Sequence, residues 1–347
     1  MDGLRSFAFV ALAGSLAACS SPEPNRSAHH AAGGGGDSAG AGGSGGSGGA
    51  PCSVVGPAEE TLHLPNEYGT LEGTLLLPES CGPAPVVLVL SGSGTSDRDG
   101  DEPQMYRMLA EALLGQGIGS LRYDDHGANG SITAAPPTVE EFSFELEVTD
   151  AAHWIGALRD DPRVGKVVLA GHSQGSLTAI LASAIEPADA LVSLAGAGRP
   201  IGRVLHDQLA DDLTADQLAA LDAAIAQLEA GELPGPLDPP LDQILPVPFQ
   251  PYLVTWMKYD PKVEIAGLGP PALIVQGEVD RQVSVLDAEL LHEGDPASEL
   301  VLIGDMCHVL KQANSSNASQ KKAYTDPSVP LAPELVPAIT AFVGKLD

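Results

Sequence analysis

Short apolar runs and stretches of helical spacing alternate along this chain. Thr61-Leu62-His63-Leu64 and Leu71-Glu72-Gly73-Thr74-Leu75-Leu76-Leu77 read as two strands of a hairpin, with Gly69 near the turn. Val86 to Leu90 is an unbroken run of valine and leucine, the signature of a strand buried on both faces. Tyr106 to Leu114 has helical spacing until Gly115, Gly117 and Gly119 break it. Leu121-Arg122-Tyr123 predicts a short strand, Val139 to Leu158 a long amphipathic helix, and Lys166 to Ala170 another strand. Further strands are predicted at Ala190 to Leu194, Ala272 to Gln276 and Leu300 to Ile303. Strands alternating with helices imply an α/β fold, a mostly parallel sheet with helices on both faces.

One stretch departs from that alternation. Between Gly198 and Gly267 the chain passes through an alanine- and leucine-rich helical segment, Arg203 to Leu228, interrupted at Leu213-Thr214. A proline-rich passage, Leu233 to Pro251, follows it. The stretch is too long for a loop and holds no sheet strand. Residues 199–267 therefore read as an inserted helical cap over the strand ends, where open α/β sheets bind ligands.

The N-terminal composition sets a second boundary. Arg5 followed by the short apolar core Phe7 to Ala18 predicts an export signal, and the core is too short to span a bilayer. Leu16-Ala17-Ala18-Cys19 resembles the lipobox of bacterial lipoproteins, so residues 1–19 are expected to be a lipoprotein signal with Cys19 lipidated. Ser20 stands where an aspartate would favour inner-membrane retention, which points to the outer membrane of a bacterial envelope. Residues 20–55, rich in Gly, Ser and Ala, cannot bury enough surface to fold and read as a flexible tether. Its thirty or so residues would span about 30 Å by random-coil scaling.

Residues 56–347 are then one body, and with 44% of the chain apolar there is enough to bury a large core. A formal charge of −29 argues against nucleic acid and anionic membrane surfaces as partners, leaving the lipid anchor as the membrane contact. Four cysteines are too few for a disulfide scaffold. Cys52 and Cys81 flank the first two strands and could pair in an oxidising compartment, a choice left open here. Cys307 reads as packing.

The chemistry centres on Gly171-His172-Ser173-Gln174-Gly175, directly after the strand at Lys166 to Ala170 and directly before an apolar helix. A strand ending in G-x-S-x-G and turning into a helix is a nucleophile elbow, which exposes a serine on a strained turn. The same letters recur at Gly42-Gly43-Ser44-Gly45-Gly46 and Gly45-Gly46-Ser47-Gly48-Gly49, but with no strand before them. Ser173 is the candidate nucleophile. A serine hydroxyl needs a base, and the base an orienting acid, in the chain order nucleophile, acid, histidine. Asp280, three residues past the glycine that ends a buried strand, is preferred as the acid over Glu278. His308 follows the last strand in the loop Gly304-Asp305-Met306-Cys307 and is preferred as the base over His292. His126, His153 and His206 fall outside the order, and His172 is expected to shape the turn. The backbone N–H of Gln174 and that of Ser93, in Ser91-Gly92-Ser93-Gly94, are the expected oxyanion donors.

Taken in order, these segments resemble the α/β-hydrolase superfamily, specifically the capped bacterial esterases grouped with serine-aminopeptidase-like (S33-type) hydrolases. Ser91-Gly92-Ser93-Gly94-Thr95-Ser96-Asp97-Arg98-Asp99-Gly100 is similar to that group's G-S-G-x-x-D-R-D loop, and Tyr123-Asp124-Asp125-His126-Gly127 to its Y-D-x-R-G turn. Ser91 departs from a common histidine, and His126 from the usual arginine. The resemblance implies hydrolysis of small or medium acyl esters through an acyl-enzyme, with no metal or cofactor. Two alternatives stay open. A peptidase releasing N-terminal residues would need a cap carboxylate such as Asp207, Asp211 or Glu229 for the substrate amine. A non-catalytic surface lipoprotein would keep the fold as a binding module.

Overall fold

The structure, a computed structural model, describes residues 58–346. The signal with Cys19 and the whole tether, Cys52 included, lie outside the described residues. Cys81 is disulfide-bonded, and Cys307 is a buried free thiol. The strands are β1 (Ala58–Pro65), β2 (Thr70–Leu77), β3 (Ala84–Leu90), β4 (Gly119–Tyr123), β5 (Val164–His172), β6 (Ala190–Leu194), β7 (Ala272–Gly277) and β8 (Glu299–Ile303). They form one eight-stranded sheet in the order β1-β2-β4-β3-β5-β6-β7-β8. The first two pairings in that order, β1 with β2 and β2 with β4, are antiparallel, and the rest are parallel.

The residues of β3 show why the sheet is covered on both sides. Val86, Leu88 and Leu90 join one hydrophobic cluster, while Val87 and Val89 join a second. The first cluster takes in helices α2 (Phe144–Asp160) and α3 (Gln174–Ile185); the second takes in α1 (Met105–Leu114) on the opposite face. This central strand is thus a two-sided apolar ribbon, as its unbroken valine and leucine composition requires.

The long helix expected from Val139 to Leu158 is two pieces. Val139–Glu141 is a 3-10 turn, and α2 begins only after Ser143, whose backbone is extended at φ −138°. The Ser143 hydroxyl accepts the Leu146 N–H, and the Phe144 N–H donates to Thr255 Oγ1 at 2.9 Å. A serine cap competes with helix continuation by satisfying a free N–H from outside the helix, and apolar spacing alone does not reveal it.

Between β6 and β7 the chain is helical: α4 (Ile201–Leu209), α5 (Ala215–Glu229), α6 (Leu241–Ile244), α7 (Gln250–Met257) and α8 (Pro261–Ile265). This insert is anchored at its start by Arg199, which makes a two-pronged bond to the fully buried Asp287, 2.9 Å on each prong. Asp287 lies on α9 (Val285–Gly294), so the insert is tied to the element that follows β7. Burial pushes the Asp287 carboxyl up, but the bonds from Arg199 and Ser284 together hold it below the usual range. Among the described residues, no helix is long and apolar enough to cross a membrane.

Candidate active site

The sheet register brings the candidate residues to one edge. Leu90 of β3 stands opposite Gly171 of β5, so the loop after β3 emerges beside the turn after β5. Gly277 of β7 stands opposite Ile303 of β8, which sets the loops carrying Asp280 and His308 side by side. Both pairs lie at the carboxyl ends of parallel strands, where the chain leaves the sheet.

The turn at Ser173 is under backbone strain. Its φ is +53° with ψ −119°, a region that residues with a side chain rarely occupy. The two flanking glycines are required by space. A Cβ at Gly171 would stand 2.1 Å from the Gly175 carbonyl oxygen, and one at Gly175 would stand 2.3 Å from that of Ser91. The second contact presses the elbow directly onto the loop after β3. Gln174 opens α3, so its N–H is one of the unpaired donors at a helix N-terminus.

His308 donates from Nδ1 to Asp280 Oδ2 at 2.8 Å, and both side chains are buried. Asp280 is held from every side. Its Oδ1 accepts the N–H groups of Gln282 and Val283 at 2.8 and 3.1 Å, and its Oδ2 also accepts from Gln276 Nε2 at 3.1 Å. A carboxylate so filled has one orientation, and it fixes the imidazole with it. Glu278, its rival in sequence, is exposed. His292, in the last turn of α9, is hydrogen-bonded through Nδ1 to the Ser298 hydroxyl at 3.0 Å.

Ser173, His308 and Ser93 line one open cavity, together with Gly92, Tyr106 and Gln282. Ser93, Ser173 and Gln174 line a second, walled by Val204, Leu205 and Trp256 of the insert. A third lies beyond Ser93 and Gln174, lined by Tyr123, Phe142, Phe249 and Tyr252, with Asp125 and Glu147. The five residues Ser173, Gln174, Ser93, Asp280 and His308 are therefore gathered at one place. The Ser93 and Gln174 N–H groups donate to no other described residue, and Ser173 Oγ likewise has no hydrogen-bond partner among them. Asp207 is paired with Arg199 at 2.5 Å, and neither it, Asp211 nor Glu229 lines any of these three cavities.

The loop after β3 is braced from below by the turn after β4. Ser91 Oγ donates to Asp125 Oδ1 at 2.6 Å, and the Ser96 N–H to Asp125 Oδ2 at 2.8 Å. Burial raises the Asp125 carboxyl to about 7, against those two hydrogen bonds. Arg98 spans Asp124 and Glu72, and its own N–H donates to Asp124 Oδ1 at 2.9 Å. The residues of the two loop motifs thus bind each other. His126 donates to the buried Asp150 at 2.7 Å, away from Ser173's cavity; the exposed His153 lies 3.9 Å from the same carboxylate, and His206 pairs with Asp222.

Several residues near the site carried no prediction. Gln276 orients Asp280, and its signal was available: a polar residue ending an otherwise apolar buried strand. Glu147 accepts from Gln174 Nε2 at 2.6 Å and from the Tyr252 hydroxyl at 3.0 Å. Burial, and after it Asp125, raises the Glu147 carboxyl to about 8. Tyr106 sits in the apolar stripe of α1 and reads there as core, so nothing in its spacing marks it.

No family model matches the chain. Among curated proteins it is similar to Esterase EstD of Thermotoga maritima, 26% identical over 267 residues. That alignment spans 75% of this chain but only 63% of the relative's length. Among solved structures it is similar to Est1E from Butyrivibrio proteoclasticus with ferulic acid bound (TM-score 0.55, 17% identity), over 82% of this chain and 98% of that one. It is also similar to the Pyrococcus furiosus esterase Pf2001 (TM-score 0.52, 17% identity), over 84% of this chain and 93% of that one. A hypothetical protein from Pseudomonas aeruginosa, PA2218, superposes at TM-score 0.57 with 16% identity, over 86% of this chain and 96% of that one. Likeness at these identities speaks for architecture, and together with the strand order it gives the chain the α/β-hydrolase fold.

Proposed function

We propose that this protein hydrolyses carboxylic esters of small or medium acyl groups through an acyl-enzyme on Ser173. The observation that carries the reading is Ser173 itself. It is held in a left-handed turn at a helix N-terminus, and it shares a cavity with a histidine whose Nδ1 is engaged by a buried aspartate. With Nδ1–H given to Asp280, His308 Nε2 is the basic nitrogen that takes the Ser173 proton as the oxygen attacks the ester carbonyl. The N–H groups of Gln174 and Ser93 receive the developing oxyanion. The imidazolium then protonates the leaving alkoxide, and a water deprotonated by His308 releases the acid. A Ser173–His308 hydrogen bond is the one contact the resting geometry leaves unmade; such bonds are commonly long in free enzymes and tighten with substrate. The likeness to Esterase EstD supports the ester as substrate.

Turnover of p-nitrophenyl butyrate tests this directly. The Ser173→Ala variant is expected to lose about 10³-fold or more in kcat, since the three groups act as a unit. It should also lose labelling by a fluorophosphonate probe. Retained turnover in that variant, with the wild-type protein unlabelled, would defeat the proposal.

A further inference from the structure

We propose that Tyr106 and His172 are positioning residues, joined in a one-way hydrogen-bond relay that ties the loop presenting the Ser93 N–H to the loop presenting His308. The proposal rests on the ester-hydrolysis reading above and adds to it two groups that touch no reacting atom.

The direction of the relay is set at both ends. The His308 carbonyl can only accept, so His172 Nε2, 2.8 Å from it, carries the ring proton. Burial, and then the neighbouring His308, lowers the His172 pKa to about 3, so the ring is neutral and Nδ1 is bare. Nδ1 accepts from the Tyr106 hydroxyl at 2.9 Å, inside the protein. At the other end the Gly92 N–H can only donate, and it donates to the same hydroxyl oxygen at 2.9 Å. The sequence Gly92 N–H to Tyr106 O–H to His172 and on to the His308 carbonyl is therefore the one arrangement in which each group fills its role.

This arrangement acts on both halves of the site. Engaging the Gly92 N–H pins the loop one residue before Ser93, whose N–H is left free. Gly92 sits so close that a Cβ there would stand 3.1 Å from His172 Nδ1 and 3.3 Å from Ser173 Cβ. At the far end, His172 holds the main chain of His308 and packs its ring 4.9 Å from the His308 ring. A neutral neighbour at that distance lets His308 become an imidazolium without facing a second cation. Catalytic donors must be held within a fraction of an ångström, and this relay sets them from inside the fold.

Tyr106→Phe removes one oxygen and leaves the ring packing. It is expected to lower kcat about tenfold on p-nitrophenyl butyrate with KM within about twofold, because displaced donors matter in the transition state. The inhibition constant of a trifluoromethyl ketone should rise by a similar factor. His172→Phe keeps a ring in place but removes both the donor to His308 and the acceptor for Tyr106. It should behave alike, and the double variant should be no worse than the worse single. Independently of activity, nitrogen-resolved NMR of the wild-type ring should find His172 protonated on Nε2, with Nδ1 shifting in Tyr106→Phe. Unchanged kcat, a loss carried by KM, multiplying losses in the double variant, or an Nδ1-protonated His172 would each overturn the relay. A wild-type protein inert towards esters would instead defeat the reading beneath it, and the NMR result would still decide the relay.

Discussion

His308 on Asp280 and His126 on Asp150 are nearly the same interaction made twice. The bonds are 2.8 and 2.7 Å, and the histidine side chains are 5% and 4% exposed. What differs is the nitrogen used and what stands beyond it. His308 spends Nδ1 on its aspartate and lines the cavity that holds Ser173. His126 spends Nε2, packs edge-on against Phe142, and lines the aromatic cavity instead. Asp150 Oδ2 also receives Asn66 Nδ2 at 3.1 Å, while Asn66 Oδ1 accepts the N–H groups of Tyr68 and Gly69 in the turn between β1 and β2. One pair can prepare a base; the other fastens a hairpin to α2. A buried histidine–carboxylate bond therefore says nothing about catalysis until the second ring nitrogen is placed.

Replacing each aspartate by asparagine separates the two. Asp280→Asn is expected to cost about 10³- to 10⁴-fold in kcat by favouring the wrong imidazole tautomer. Its folding, followed by circular dichroism, should be largely kept. Asp150→Asn should leave kcat within about threefold and instead cost about 2 kcal/mol in urea unfolding, as buried donors face a donor amide. The opposite pattern would erase the distinction.

A smaller effect comes from a carboxylate with no histidine on it. Glu147 faces Gln174 and Tyr252, and burial raises its pKa from 4.5 to about 8 in the folded chain. The fold therefore favours its neutral form. That contribution is full below pH about 4.5 and is lost as pH rises through about 8. Glu147→Gln should accordingly show a smaller fall in melting temperature between pH 6 and 9 than the wild type. Parallel falls in the two proteins would count against the shift.

The sheet was legible because its strands are apolar runs bounded by glycine or polar turns, as at Val86 to Leu90 and Ala272 to Gln276. Ser173, Asp280 and His308 were legible for a related reason. Each lies in the connection that follows a recognisable strand, and parallel strands deliver those connections to one edge. Tyr106 was not, because a hydroxyl on a buried apolar stripe leaves no trace in spacing. The helix break at Ser143 was hidden by apolar residues that continue across it, with the deciding hydrogen bond coming from the cap. Gln276 was visible in the text, yet its partner depends on how the chain folds back at Asp280.

The helical insert supplies Val204, Leu205 and Trp256 to one cavity wall and Phe249 and Tyr252 to another, while Ser173, Asp280 and His308 all leave from sheet strands. Selection can therefore redraw the shape seen by an incoming molecule while Ser173, Asp280 and His308 keep their spacing. Grafting residues 199–267 from a chain of the same architecture would transplant the walls and spare the sheet-borne loops that carry these three side chains.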